Sequence, residues 1–339
     1  MTTSVSIGID IGHSSVKVSV KIAGKPDLSG ASFNFPTVVS GWKLISNDLT
    51  AQKALRDTVS VGAKRYFIGE TAIRQGQADS FSGQSRDWVN SEEHDALLIG
   101  AWSRAVSVLH ENGVVNPANI ALVVGLPTSY YLEQRPGLRA RVFNLIQSRL
   151  APGQKLSVHV EAQSRAPLLC EALDFDGHAT GRAGENESWG VVEIGHFTTD
   201  FTFHDKGQEI DGLSGSVSGV RMAYDLIAGK FKQGNYPVDI ESIDVAIRTK
   251  KTKMYGAEVD VSSIVNPAIE EFASYILNEV AARFGDKAPR MDGIIIAGGG
   301  AHIVGGMIAE KYPNAKIYPN PRHIVAEGYA RLGLLALEK

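Results

Sequence analysis

The sequence predicts a two-domain α/β protein, and three observations carry that reading. Period-two alternations give way repeatedly to helix-period stripes along the chain, which is how strands and helices in succession are written. The 339 residues exceed one ordinary domain and suit two or three. A strand, a glycine turn and a second alternating strand open the chain and recur near residue 190, so the two halves look like related units.

The elements follow in order. Residues 5–10 alternate as a strand, Gly12, His13 and Ser14 form a turn, and 15–22 return with Val16, Val18, Val20 and Ile22 on one face. Residues 31–39 and 65–68 read as short strands, and the polar, Gly- and Ser-rich stretch 74–88 as loop. Ser91 is placed to cap a helix with Glu92 and Glu93 in its first turn and Leu97, Ala101, Ala105 and Leu109 along its stripe. A buried-type strand over 120–124 ends at Gly125, Leu126 and Pro127. A helix over 138–150, a strand over 155–160, a helix over 161–173 and a polar loop over 174–187 complete the first half. The second half has strands at 189–194 and 199–204 around a turn at 195–198, then helices at 222–231 and 240–248. Asn266 is placed to cap a long helix with Pro267 at its first position and Gly285 at its end. A buried strand over 292–297 runs into Gly298, Gly299 and Gly300. A helix to 311, a strand over 316–318 and a helix over 324–337 follow.

Composition excludes several function classes. The chain has 34 basic and 37 acidic residues, a net charge of −3, so no protein-wide cationic surface exists for nucleic acid. Its one cysteine, Cys170, rules out an intramolecular disulfide and a cysteine metal cluster, and fits a reducing compartment. Cys170 lies beside Leu168 and Leu169 and reads as core. No apolar run reaches the roughly 18 residues of a membrane span, and the opening residues lack the basic start and apolar core of a secretion signal. A cytoplasmic protein without membrane contact is expected. His204, His302 and His323 have no ligand spacing and read as packing or surface residues.

Three segments carry chemistry. In the first, Asp10 ends a strand, Gly12 allows the turn, His13, Ser14 and Ser15 form its tip, and Lys17 projects from the returning strand. Backbone N–H groups in such a turn cradle phosphates, and Asp10 is suited to hold Mg²⁺ through water. The alternative is a plain hairpin with a polar tip. The second, Glu193, Gly195, His196, Phe197 and Thr198, has the same layout. A pair of acid-tipped hairpins would clasp a polyphosphate and its metal ion from both sides. The third, Gly298, Gly299 and Gly300 after a buried strand, lets backbone lie against a flat ligand or phosphate. No acid follows it by about 20 residues, as a dinucleotide fold would require.

In this order and spacing the three segments resemble the actin-like ATPase superfamily, and most nearly the bacterial plasmid-segregation actins of the ParM/StbA type. There the hairpins are called phosphate 1 and phosphate 2, the glycine run is the adenosine motif, and two connecting helices complete the set. Glu161, Ala162 and Gln163 look like the start of the first connecting helix, and Ala326, Glu327 and Gly328 like the second. Phe35, Pro36 and Thr37, residues 67–72, and residues 124–127 match the segregation actins more narrowly. Two positions depart from the pattern: phosphate 2 opens with Glu193 in place of aspartate, and His196 stands where glycine is usual.

The resemblance implies an actin-like, ribonuclease-H-like two-domain fold with an interdomain nucleotide cleft. The first domain would comprise 1–165 with 323–339, and the second 166–322. It implies binding of ATP and Mg²⁺, with Glu161 orienting or activating the attacking water, Asp10 and Glu193 at the metal, and Lys17 paired with a phosphate oxygen. The alternative for Glu161 is an acid favoured at a helix start by the macrodipole. Gly219 would permit close approach of the adenosine, with Arg221 or Lys232 stacking on or bordering the base. Head-to-tail filaments destabilised by hydrolysis are implied, along with a DNA-binding adaptor protein at a plasmid centromere-like site. A small-molecule kinase of the same fold needs a catalytic aspartate beside a hydroxyl pocket, which the sequence does not offer. An ATP-regulated non-motile scaffold is the third reading. The basic cluster at 248–253 reads as a solvated loop, or as a contact with a neighbouring subunit or nucleic acid.

Overall fold

The opening hairpin forms as its alternation dictates. In the computed structural model, which describes residues 3–25, 28, 31–76 and 87–338, β1 (Ser4–Ile11) pairs antiparallel with β2 (Ser15–Ile22), Asp10 opposite Lys17. Val5, Ile7 and Ile9 of β1 and Val16, Val18 and Val20 of β2 are completely buried. After β3 (Ser32–Pro36) the chain builds a small sheet with two short helices: β4 (Val39–Gly41), α1 (Asp48–Ala54), β5 (Thr58–Val61), β6 (Lys64–Ile68) and α2 (Gly69–Gln75), strand order β4-β6-β5. Buried Asp57 ties this module together, accepting from Thr71 Oγ1 at 2.8 Å and from Arg104 Nη2 at 2.6 Å. Most of the expected loop, residues 77–86, lies outside the described residues.

The elements α3 (Glu92–Glu111), β7 (Asn119–Leu126), α4 (Tyr131–Gln147), β8 (Lys155–Ala162) and α5 (Ala166–Ala172) complete the first half. Its main sheet runs β3-β2-β1-β7-β8, with β1, β7 and β8 parallel. The second half repeats the plan with β9 (Ser188–Ile194), β10 (Thr198–Asp205), β11 (Gln208–Glu209), β12 (Gly215–Ser218), α6 (Arg221–Gln233), α7 (Ile240–Thr249), β13 (Lys251–Met254), β14 (Ala257–Asp260), α8 (Ser262–Phe284), β15 (Gly293–Ala297), α9 (Ala301–Lys311) and β16 (Ala315–Ile317). Its sheet runs β11-β10-β9-β15-β16, with β12 also on β10 and with β9, β15 and β16 parallel. In each half a hairpin continues into two parallel strands, the recurrence that the sequence predicts. The second core packs Val192, Ile194, Phe201 and Phe203 against Ile227 and Phe231 of α6 and Phe272 and Ile276 of α8.

The last helix, α10 (Ile324–Leu337), belongs to the first half. It covers the face of β1 opposite α3, and Gly8 makes the approach possible: a methyl there would come within 2.7 Å of the Ala330 nitrogen. The compact units are Met1–Ala183 with His323–Lys339, and Gly184–Arg322. The expected boundary at 165/166 therefore shifts by 18 residues, because α5 packs on α10. Arg331 Nη1 donates to the carbonyls of Cys170 (2.8 Å) and Leu173 (2.7 Å).

Three helix starts differ from expectation. The helix α4 begins at Tyr131 and carries Pro136 inside, where the missing N–H costs one bond in the second turn. The helix α8 begins at Ser262, whose N–H and hydroxyl both donate to Asp260 Oδ1, so Asn266 is no cap and Pro267 lies within the helix. Glu161 and Ala162 extend β8, and the helix after them begins only at Ala166.

Candidate functional site

In the first unit the site grows from the turn between β1 and β2. The Gly12 N–H donates to the Ser15 carbonyl at 3.2 Å, while Thr37 donates from Oγ1 to the Gly12 carbonyl (2.6 Å) and from its N–H to the Ser14 carbonyl (3.2 Å). A trans peptide sets its N–H opposite the preceding carbonyl, so carbonyls drawn inward turn the amides of His13 and Ser15 outward. Amides presented this way form an anion-binding concavity. Asp10, only 2% exposed, ends β1 beneath the turn, and Lys17 Nζ lies 2.9 Å from its Oδ2. That ammonium also covers Gly12, where a methyl would come within 2.8 Å of it.

Glu161 does not join this group. It ends β8 in register with Gly125, a full strand beyond β1, and its Oε1 accepts from the Ala162 N–H (2.9 Å) and faces Arg165 Nη1 at 3.5 Å. It lies in a strand and not at a helix start, so the macrodipole reading does not apply to it. The residue that reaches the turn is Gln163, whose Nε2 donates to Asp10 Oδ1 at 3.0 Å. The sequence holds the signal that places it. Alternation of Leu156, Val158, Val160 and Ala162 carries the strand to 162, and Pro167 marks the first turn of the helix, which leaves Gln163 in the bend between them.

In the second unit the turn after β9 is tied the same way. The Gly195 N–H donates to the Thr198 carbonyl at 2.8 Å, as Gly12 does to Ser15. The carbonyls of Gly195, His196 and Phe197 accept in succession from the N–H groups of Val220 (3.0 Å), Arg221 (2.7 Å) and Gly219 (2.8 Å) at the start of α6. The amides of His196 and Phe197 are thereby turned outward. Gly219 packs against this turn, where a methyl on it would meet the Thr198 nitrogen at 2.8 Å. The Thr198 hydroxyl donates to Asp200 Oδ2 at 3.0 Å, so it serves the hairpin. The His196 ring packs edge-on against Phe197 and Tyr224, and Tyr224 OH donates to Asp244 Oδ1 at 2.7 Å. Burial, with Arg221's charge adding, lowers the His196 pKa, so the imidazole is neutral at pH 7. Arg221 lies over Phe197 and 3.5 Å from Asp225, on the wall of a groove that also includes Met222 and Leu226. Lys232 is exposed in the last turn of α6.

Glu193, half-buried, stands beside Ala297 at the end of β15, so the second hairpin and the glycine run adjoin. Two of the three glycines are dictated by that neighbour. Gly298 has φ +82° and sits against the Ile194 backbone, and a methyl on Gly300 would run into the Ile194 side chain. Gly299 faces Arg322, with a methyl 3.4 Å from its Nε. Arg322, which sequence reasoning did not select, also acts electrostatically on Tyr224. Nothing in its immediate sequence marks it out, because it reaches Gly299 through the fold.

A model described as the N-terminal domain of actin-like proteins matches residues 8–169, and one described as the C-terminal region of the archaeal actin homologue MreB-like matches 191–310. No curated protein matches the chain. A ParM from a 15-stranded Clostridium botulinum filament is 19% identical, with 98% of this chain and 99% of that one covered and a TM-score of 0.70. An apo psk41 ParM is 14% identical over 99% of this chain and 98% of its own, also with a TM-score of 0.70. Bacillus thuringiensis ParM with ATP is 14% identical over 99% and 100%, with a TM-score of 0.66. At these identities the likeness to the solved structures is one of fold.

Proposed function

We propose that this chain, which belongs to the actin-like proteins, is an ATPase whose nucleotide state controls its assembly into filaments. The observation that carries the reading is the duplicated phosphate turn. Each unit has an acid-ended strand, a glycine whose N–H closes the turn three residues on, and carbonyls drawn inward so that amides face out. Such preorganised donors suit the oxygens of a polyphosphate. The solved relatives include a ParM bound to ATP and a ParM within a filament, which supports both halves of the proposal.

Within that reading Lys17, held on Asp10, supplies positive charge at the first turn, and Gln163 orients the attacking water through its amide. Orientation, not proton abstraction, is the role available to an amide. Arg322 and the Gly299 peptide border the base. In the first unit Asp10 and the Gln163 amide would offer magnesium hard oxygen, and in the second unit Glu193 would offer a carboxylate. Among the described residues no group of three or more His, Cys, Asp or Glu is placed to hold a metal ion, so water and phosphate would complete the shell. When bound, the ion supplies charge neutralisation for the phosphates.

Segregation of plasmid copies, with a DNA-binding adaptor as partner, is the biological role we infer from the ParM likeness. We infer a cytoplasmic location, where ATP is available. Among the described residues no helix is long and apolar enough to cross a membrane. The test is light scattering and sedimentation with Mg-ATP, a non-hydrolysable analogue and ADP, alongside phosphate release. Polymer with ATP or the analogue and its loss on hydrolysis are expected. A monomer in every nucleotide state that releases no phosphate overturns the reading.

A further inference from the structure

The two turns are anchored differently. In the second unit three successive amides at the start of α6 share the carbonyls of Gly195, His196 and Phe197. In the first unit the carbonyls of Gly12 and Ser14 both end on one residue, Thr37, through its hydroxyl at 2.6 Å and its N–H at 3.2 Å. Thr37 is 1% exposed and lies in the two-residue link between β3 and β4.

Thr37 is itself held from outside the turn. One residue on, the Val38 carbonyl accepts from the Gly69 N–H at 2.9 Å. Two residues back, Phe35 pairs with Val16 of β2 and has the Arg104 guanidinium over its ring, 3.8 Å from the centroid. Arg104 is bonded in turn to buried Asp57, which Thr71 also reaches. Gly69, at φ +60°, leaves room for this stack: a methyl on it would lie 3.3 Å from the Phe35 ring. Residues on both sides of Thr37 are therefore fixed by packing that no ligand touches.

The bond to Gly12 is the one that matters for chemistry. The Gly12 carbonyl and the His13 N–H belong to one peptide plane, so fixing the first fixes the second. That plane follows a glycine, the residue with the most backbone freedom, so it needs an outside constraint to hold one orientation. A hydroxyl buried as deeply as this one needs its partner as much as the carbonyl does.

We propose that Thr37 is the positioning residue of the first phosphate turn: its hydroxyl holds the Gly12–His13 peptide with the N–H outward, and so sets affinity for the phosphate chain of a nucleotide and not for its base or sugar. The proposal rests on the nucleotide-binding reading above and is tested apart from it. Thr37→Val removes the hydroxyl but keeps the shape and the N–H, Thr37→Ser keeps the hydroxyl, and Thr37→Ala repeats the loss with less bulk should the valine fail to fold. Calorimetric titration with adenosine, with Mg-ATP and with tripolyphosphate reads the effect. Thr37→Val should bind adenosine as wild type does and lose about tenfold or more in affinity for Mg-ATP and for tripolyphosphate, while Thr37→Ser stays within about threefold of wild type.

Equal Mg-ATP and tripolyphosphate affinities in Thr37→Val and wild type, with phosphate release in both, overturn the proposal and leave the ATPase reading standing. A loss shared equally by adenosine also overturns it, because that is what a general loosening of the fold produces. Hydroxyl-dependent binding of tripolyphosphate by a wild type that neither hydrolyses ATP nor assembles upholds it while the ATPase reading fails. A wild type that binds neither Mg-ATP nor tripolyphosphate overturns both.

Discussion

Gln163 and Glu161 are two residues apart and have different partners because one lies in the bend and the other in the strand. Glu161 is engaged by the Ala162 N–H and by Arg165, whereas Gln163 is bonded to Asp10 under the turn between β1 and β2. We expect Gln163→Ala to bind ATP but release phosphate slower by roughly 10²-fold, the lower end of what a positioned group contributes to proton-linked steps. Glu161→Gln should stay within about threefold of wild type. Single-turnover phosphate release separates the two, and the reverse ranking would return the role to Glu161. At the second hairpin, Glu193→Asp should keep magnesium-dependent ATP affinity and Glu193→Ala should lose it, measured by nucleotide titration with and without the ion. Equal affinity of Glu193→Ala and wild type in Mg-ATP would make Glu193 a strand-end acid only.

At the scale of elements, the device that holds α10 to the hairpin is a buried charge cluster. Glu327 accepts from Lys21 (2.9 Å), Ser19 (2.8 Å) and Arg331 (2.9 Å), and Arg331 extends the cluster to α5. Burial alone would raise the carboxyl pKa, but the two cations outweigh it and hold it below the usual value. Glu327→Ala leaves Lys21 and Arg331 buried without it, and we expect a loss of about 3–5 kcal/mol in denaturant unfolding. The helix α3 is secured differently: Ser91 Oγ accepts from the His94 N–H at 3.1 Å, and Ser91→Ala should cost about 1 kcal/mol. Its cap is legible in the sequence because cap and stripe are neighbours. Starts such as those of α4 and α8 were not, because a proline within five residues of a helix start is compatible with either side of the boundary.

At the scale of the whole molecule, stability depends on pH through His94. Its ring is buried, and burial, with Arg141's charge adding, lowers its pKa to about 3. The folded state therefore keeps it neutral while the unfolded chain protonates it near its ordinary value of about 6.5. The unfolded state binds more protons below that value, so stability is fully present above about pH 6.5 and is lost as pH falls toward 3. Urea unfolding of wild type and His94→Phe at pH 7 and pH 5 checks this: the fall between the two should shrink in the variant. An equal fall would remove His94 as the cause.

The sequence by itself determined the α/β class, both hairpins, their acids and glycines, and the duplication of the plan, because each is written in adjacent residues through period-two alternation and turn chemistry. It also held the strand end at Ala162 and the proline at 167 that place Gln163. Tertiary structure decided the rest. The assignment of α5 to the first unit follows from Arg331 reaching back to its carbonyls, and the purpose of Gly219, Gly298 and Gly300 from which backbone lies against them. Arg322 meets Gly299, and Thr37 meets Gly12, for the same reason: proximity across a fold is set by how sheets and helices pack, which no local pattern of residues records.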